Sequence, residues 1–254
     1  MKYRSLLLPR LLLLLLATGG VGCQTNNVHE SYGIHPDHMG YVPARIAVLN
    51  CRLWPTGARF MSLPLSNVKE VVTAEICKKF DPEVLQAFSG QPYMSGFSPN
   101  YISKLLEKNN RLGMIDEIDQ HWKHQEKDCQ KCPNAASFYR HSLQNRDAWK
   151  LWLNQFSKEV RYADAVLIPF VMYAKDSKFQ DRGLLVAERS ARVMLFLIDT
   201  NEAALIWSNM REATIPNKAF LSLRDNIEPP EWEMLYKRLF TEDLWQGFPG
   251  RQVQ

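Results

Sequence analysis

The sequence predicts an α/β fold in which a mixed, largely antiparallel sheet is flanked by helices and carries a polar, cysteine-containing insertion. Three β-rich runs follow one another at 165–174, 190–198 and 203–214, separated by polar segments. Stretches with apolar residues at helical spacing come before and after these runs. A meander covered by helices is therefore the expected core.

The first two runs of the meander, AVLIPFVMYA and SARVMLFLID, are almost continuously apolar. Such runs are typical of strands that are covered on both faces. The third run follows the turn-forming cluster Asp199-Thr200-Asn201-Glu202. We expect Asn201 to provide the positive φ of this turn, because asparagine tolerates that conformation.

The N-terminal part of the domain is predicted to contain one strand and one helix. The run 45–49 is short and rich in β-formers, which indicates the first strand. Asn67 and Glu70 have the spacing of a capping box and so predict a helix start. We expect this helix to end near Phe80, because Pro82 follows and the residue before a proline is disfavoured in a helix.

The next segment is less regular. Residues 82–97 hold two glycines and a proline after Pro82, which predicts a loop or a broken helix. Ser98-Pro99 is a helix start, with a cap and a proline at the first helical position. Residues 112–118 are interpreted as a short second strand, and 120–145 are strongly polar.

Two more helices complete the domain. Asp147 is expected to cap the first, whose large apolar residues should pack on the sheet. The second is expected to begin at residues 228–230 and to face inward with Trp232, Leu235, Tyr236, Leu239 and Phe240. The tail from Gly247 is predicted to be frayed. The stripe of the first helix is Trp149, Trp152, Leu153, Phe156 and Val160.

The N-terminus has the plan of a bacterial secretory signal peptide. Lys2, Arg4 and Arg10 accompany the leucine-rich run 11–17, and small residues follow. That run is too short to be a permanent membrane-spanning helix. We assign residues 1–22 to the signal peptide.

The end of this segment, Gly20-Val21-Gly22-Cys23, resembles a bacterial lipobox, with Gly20 where leucine is usual. The resemblance implies cleavage before Cys23, a diacylglycerol on its sulfur and an acylated α-amine. Gln24, by resemblance to sorted lipoproteins, implies the periplasmic face of the outer membrane. The alternative is an ordinary secretory signal with an incidental cysteine.

The remaining chain is predicted to form one domain. Residues 23–42 are a polar, lipid-anchored linker, 43–246 are a single α/β domain with an insertion at about 81–147, and 247–254 are a tail. Of 31 lysines and arginines, three lie in the signal peptide, against 27 acids, so the mature net charge is +1. This balance gives no reason to expect a nucleic-acid partner.

Four cysteines remain after lipidation, and disulfides are the default in an oxidising periplasm. Cys129 and Cys132 can bridge locally, which leaves Cys51 and Cys77 to pair. The Cys129–Cys132 spacing also occurs in thiol-disulfide enzymes. That activity favours a cysteine at a helix start directly after a strand, whereas this pair lies in a hydrophilic segment.

A zinc site is the other alternative for this segment. His121, His124, Cys129 and Cys132 have suitable ligand chemistry, but the two pairs are closer together than in ordinary zinc fingers, and oxidation would remove the thiolates. We expect a structural disulfide, no metal and no cofactor. The three histidines of the linker lie in a segment with no fixed geometry and are interpreted as solvated: His29, His35 and His38.

Common catalytic motifs are missing from the sequence. It contains no G-x-S-x-G, H-E-x-x-H, P-loop or G-x-G-x-x-G pattern. The acids Asp116, Glu117 and Asp119 near His121 are interpreted as a solvated face. We expect no enzymatic activity, with an unrecognised hydrolase as an alternative.

The ordered elements resemble bacterial lipoproteins with the CsgG/LpoB/PelC-type fold, which is also described as like the N-terminal domain of TolB. The resemblance is carried by R-I-A-V-L at 45–49, Y-A-D-A-V-L-I-P at 162–169, A-R-V at 191–193, I-D-T at 198–200 and L-I-W-S at 205–208. It implies a non-enzymatic envelope protein that acts by self-assembly or through a protein partner, with a membrane contact through its lipid.

Overall fold

A computed structural model describes residues 40–54, 70–87, 89, 91, 93–123, 134–220 and 226–251, with the backbone alone at 70–75 and 242. A mixed six-stranded sheet lies between helices. The predicted fold class is confirmed.

The strands are β1 (Arg45–Val48), β2 (Arg52–Leu53), β3 (Ser95–Phe97), β4 (Ala165–Asp181), β5 (Leu184–Asp199) and β6 (Leu205–Phe220). The helices are α1 (Glu70–Gln86), α2 (Pro99–Lys108), α3 (Met114–Lys123), α4 (Ala135–Ser142), α5 (Asp147–Glu159) and α6 (Trp232–Leu239), followed by a 3-10 helix at Glu242–Trp245.

The strand order is β3-β1-β4-β5-β6, and β2 also pairs with β4. β1 is parallel to β3 and β4, whereas β4, β5 and β6 form the antiparallel meander. The central strand β4 therefore joins the short parallel part of the sheet to the long antiparallel part.

Alternate residues of the strands build two cores, as the pleat of a sheet requires. One face carries Val166, Ile168 and Phe196, which pack with helices α2 to α5. The other carries Leu167, Leu195 and residues that pack with α1, α6 and the C-terminal segment. Burial on both faces explains why the first two runs of the meander are continuously apolar.

Helix α5 has the predicted apolar stripe, and all five of its residues are buried. Its cap differs from the prediction: Asp147 is the first helical residue, and Arg146 at the N-cap makes no side-chain capping bond. Helix α2 begins as expected, because the Ser98 side chain accepts a hydrogen bond from the backbone N–H of Tyr101.

Helix α1 does not end near Phe80 but continues through Pro82 to Gln86. Phe80 and Val84 are both fully buried, so continuing the helix keeps both side chains in the core. Asp81 also accepts a hydrogen bond of 2.9 Å from the Cys51 backbone N–H. These contacts outweigh the backbone hydrogen bond that Pro82 cannot donate.

The predicted strand at 112–118 is wrong, because this segment enters helix α3. Met114, Ile118 and Trp122 are buried and follow one another at intervals of four residues, which is helical spacing. Helix α4, in the part interpreted as a polar insertion, likewise buries Phe138 and Tyr139.

The turn between β5 and β6 differs in one detail from the prediction. The positive φ, 55°, belongs to Ala203 and not to Asn201. The Asp199 carboxylate accepts hydrogen bonds from the backbone N–H groups of Asn201 and Glu202, at 2.8 and 2.6 Å. This Asx-type turn fixes the tight connection without positive φ at Asn201.

The motif residues before β4 have structural roles. The Asp164 carboxylate accepts a 2.9 Å hydrogen bond from the Arg45 backbone N–H and forms a 3.0 Å ion pair with the Arg45 side chain. The Thr200 hydroxyl donates to the Ala163 carbonyl at 2.7 Å. These bonds tie the start of β4 to β1 and to the turn after β5.

The segment after α6 packs on the sheet, so the frayed tail predicted from Gly247 is wrong for residues up to Arg251. Phe248 is buried and its ring lies 4.8 Å from that of Trp207. The Trp207 indole N–H donates to the Gln246 carbonyl at 3.1 Å. Within the described ranges, no helix has the length and apolarity needed to cross a membrane.

Candidate interaction ribbon

The three strands of the meander continue past the core as a ribbon, which comprises residues 175–190 and 212–220. Strands β4, β5 and β6 are 17, 16 and 16 residues long. The sequence predicts shorter strands, ending at Ala174, beginning at Ser190 and ending at Thr214. Most of the ribbon was thus expected to be loop.

The ribbon turns at Arg182-Gly183, where φ is 47° and 80°. Asp181 and Leu184 face each other across this two-residue turn. Positive φ at both central residues is typical of a type I′ turn, whose twist matches that of the flanking strands. The turn therefore sets the register of the hairpin.

A buried ionic cluster lies at the base of the ribbon. Arg192, in β5, faces Tyr173 in β4 and Glu212 in β6. The Arg192 Nε donates to the Glu212 carboxylate at 2.9 Å, a second guanidinium nitrogen contacts the same carboxylate, and the Tyr173 hydroxyl donates to it. Burial raises the pKa of the Tyr173 phenol, and its hydrogen bond to Glu212 raises it further.

Polar pairs continue along the same face. The Ser177 hydroxyl donates to the Glu188 carboxylate at 2.9 Å, and the Thr214 hydroxyl donates to the Ser190 hydroxyl at 3.0 Å. Each pair joins two neighbouring strands, so the register is reinforced by side chains as well as by the backbone.

An apolar patch follows at the end of the ribbon. We call Phe179, Leu184, Val186 and Phe220 the tip patch. Phe179 faces Val186 and Leu184 faces Phe220, so the alternation of the strands puts all four on one face. Phe179 and Phe220 are 44% and 62% exposed, which is unusual for phenylalanine.

The opposite face of the ribbon is braced by the segment that leads into α6. The Arg189 guanidinium forms two hydrogen bonds with the Asp176 carboxylate, at 2.8 and 3.0 Å, and lies 4.0 Å from the centre of the Trp232 ring. Lys178 forms a 2.8 Å ion pair with Glu228. The ribbon is thus held by the domain on one face and presents the tip patch on the other.

This arrangement is suited to binding another protein. Exposed aromatic side chains on a pre-formed sheet can bury apolar area against a partner, and little ordering is required. The sequence signal for the ribbon is limited to Gly183, a turn-forming residue, because 175–181 and 184–190 do not alternate between polar and apolar residues.

Most of the cysteine and histidine residues singled out in the sequence lie outside the described residues. These are Cys23, Cys129, Cys132, His29, His35, His38 and His124. Cys51 and Cys77 are described, and they form a disulfide between the segment that joins β1 to β2 and helix α1. This bond links the sheet to one of the helices that cover it.

His121, the remaining member of the possible zinc site, contacts the aromatic residues of helix α5. Its ring centre lies 5.3 Å from that of Trp149. Nearby, Asp119 forms a 2.8 Å ion pair with Arg52, whose guanidinium also donates to the Ile115 carbonyl. Among the described residues, no group of three or more potential metal ligands occurs.

Comparison with known proteins gives only distant structural likenesses. No protein-family model matches the chain, and no curated protein matches it. The lipoprotein GNA1162 from Neisseria meningitidis is similar with a TM-score of 0.37 and 14% identity, over 77% of this chain and 92% of that one.

Two other solved structures give comparable values. A PelC dodecamer from Paraburkholderia phytofirmans has a TM-score of 0.34 and 10% identity, over 91% of this chain and 99% of that one. The hypothetical protein CT253 from Chlamydia trachomatis has a TM-score of 0.35 and 11% identity, over 80% and 94%. Likenesses at this level define neither the family nor the function of the chain.

Proposed function

We propose that the chain is a lipid-anchored outer-membrane lipoprotein that faces the periplasm and acts through protein contacts. In this role it is a structural or accessory component of an envelope assembly and has no catalytic activity. The anchor concentrates the domain at the membrane, and the tip patch binds a second copy or another envelope protein.

The N-terminal sequence supports the location. Residues 1–22 have the charge and length pattern of a signal peptide, and Cys23 follows the lipobox-like Gly20-Val21-Gly22. Several acyl chains on one cysteine hold a protein on a bilayer far better than one, because each buried CH₂ contributes about 0.8 kcal/mol. The Cys51–Cys77 disulfide fits an oxidising compartment.

The tip patch is the observation that carries the proposed mode of action. Phe179 and Phe220 would be costly to leave exposed on a long ribbon, because exposed apolar strands associate with other chains. The buried cluster at the ribbon base and the braces to Glu228 and Trp232 keep the patch in place. Such pre-ordering lowers the cost of binding, because little conformational freedom is lost when a partner docks.

The contact is tested by photo-crosslinking in cells. We expect a benzoyl-phenylalanine at position 220, or at position 179, to give discrete crosslinked products, because both side chains would lie in the interface. Mass spectrometry of the products then identifies a second copy or a different envelope protein.

Position 151 gives a matched control, because Leu151 is 60% exposed on helix α5, away from the ribbon. The same probe there should give none of these products, and Phe179→Ser should weaken the products from position 220. Cys23→Ser should also reduce them, since the domain would leave the membrane. Equal products from 151 and 220, or none from 179 and 220, would refute the contact.

A further inference from the structure

A cleft of about 490 Å³ lies between the end of helix α6 and strand β6, apart from the tip patch. It is lined by Arg211, Met234, Lys237, Arg238 and Thr241. Three of these five side chains are cationic. The volume is within the range of small-molecule sites.

Arg211 is the residue that points to a ligand. Only 6% of it is exposed, and it lines the cleft from β6. Within the described part of the chain, its Nε has no hydrogen-bond partner. A buried guanidinium with an unused donor is costly unless an anion completes its contacts.

Thr241 adds a second unused group on the same cleft. Its Oγ1 is buried and likewise has no hydrogen-bond partner among the residues described. Lys237 and Arg238 lie in the last turn of α6, where the helix dipole favours cations with or without a ligand. Lys237 and Arg238 therefore add positive charge, whereas the unused polar groups of Arg211 and Thr241 indicate a bound ligand.

One acid is close to these cations. The Asp243 carboxylate lies 3.0 Å from Arg211 Nη1, and the Asp243 side chain is 55% exposed. Among the side chains that the structure describes, this carboxylate is the acid paired with Arg211, and the lining residues include three cations, so they carry net positive charge. A solvated carboxylate on one nitrogen also leaves the Nε of Arg211 without an acceptor.

We propose that this cleft binds a phosphate group, either free or as the headgroup phosphate of an anionic phospholipid. A tetrahedral phosphate has enough oxygens to accept from Arg211, Lys237, Arg238 and the Thr241 hydroxyl together. The planar fork of arginine matches phosphate geometry, and lysine adds a point charge. Met234, which is 56% exposed at the cleft, provides an apolar contact for the acyl chains of a lipid.

The test is calorimetric titration of the full-length protein in a neutral maltoside detergent. One arm uses inorganic phosphate and the other uses dihexanoyl phosphatidylglycerol. Saturable binding in either arm is expected. Binding of both probes assigns the site to the phosphate group itself, whereas binding of the lipid alone assigns it to the headgroup. Absence of binding in both arms would overturn the proposal.

The double variant K237Q/R238Q should bind at least roughly tenfold more weakly, because charge-assisted hydrogen bonds are lost. Lys158→Gln, which removes one positive charge from the exposed side of α5, should leave affinity unchanged. Lys158 and Lys237 are exposed and Arg238 is half-buried, and we expect both variants to fold. Equal affinity of K237Q/R238Q and the unaltered chain would contradict the assigned cleft.

The variant Asp243→Asn tests whether the cleft binds a ligand or whether Arg211 and Asp243 only form an internal ion pair. We expect it to tighten phosphate binding several-fold, because it removes the negative charge that repels the ligand beside Arg211. Weaker binding in this variant would show that Asp243 positions Arg211 or that the cleft holds no phosphate as assigned, and would overturn the proposal.

Discussion

Replacing Trp122 with alanine is expected to lower the free energy of unfolding by about 4 to 5 kcal/mol. Trp122 is fully buried at the centre of the core on the α2–α5 face. Its loss would leave a cavity that six neighbouring rings cannot fill without moving. These rings, with centroids between 4.8 and 6.3 Å away, belong to Trp54, Phe138, Tyr139, Trp149, Phe170 and Phe196.

Guanidinium denaturation of the purified protein measures this loss. Trp122→Phe should cost much less, because it keeps a ring in the cavity and removes an indole N–H that has no acceptor among the described residues. Leu151→Ala, at an exposed position, should stay within about 0.5 kcal/mol of the unaltered protein. A loss for Trp122→Ala no larger than for Leu151→Ala would contradict the described core.

Replacing Glu212 with alanine is expected to cost about 3 to 4 kcal/mol. The Arg192 side chain is 5% exposed and would keep its charge without a counter-ion. The Tyr173 hydroxyl would lose its acceptor in the same change. Hydrogen exchange of the ribbon amides should accelerate, because this cluster joins all three strands where the ribbon leaves the core.

The matched control is Glu202→Ala, which breaks an exposed ion pair with Lys150 of 3.0 Å. Exposed pairs contribute less than about 1 kcal/mol, so its cost should be small. The double variant R192M/E212M should recover most of the loss, because no unpaired charge remains buried. If Glu212→Ala cost no more than Glu202→Ala, the cluster would not stabilise the ribbon.

Sequence patterns predict an element correctly where the residues that stabilise it are close together in the sequence. The Ser98 cap of α2 and the aromatic stripe of α5 follow from spacing within one helix. Helix α1 continues past Pro82 because Phe80, Val84 and Asp81 have partners far away in the chain. Tertiary contacts of that kind override a local helix-stop signal.

The candidate site was not predicted for the same reason, because the ribbon is stabilised by pairing between strands. Its residues are charged and alternate between two faces, so 175–189 lack the continuous apolar run that identified the rest of β4 and β5. Polar segments of this type are predicted as loops unless the pairing of strands is known. The cleft at Arg211 was also missed, because its lining residues come from β6, α6 and the segment after α6.

Every part of the proposed function depends on the anchor, so the most direct test is the intact mass of the protein purified from membranes. The proposed function predicts a chain that begins at Cys23 and carries a thioether-linked diacylglycerol and an N-acyl group. Peptide sequencing places both groups on Cys23. A chain that keeps residues 1–22, or one with an unmodified Cys23, would contradict it.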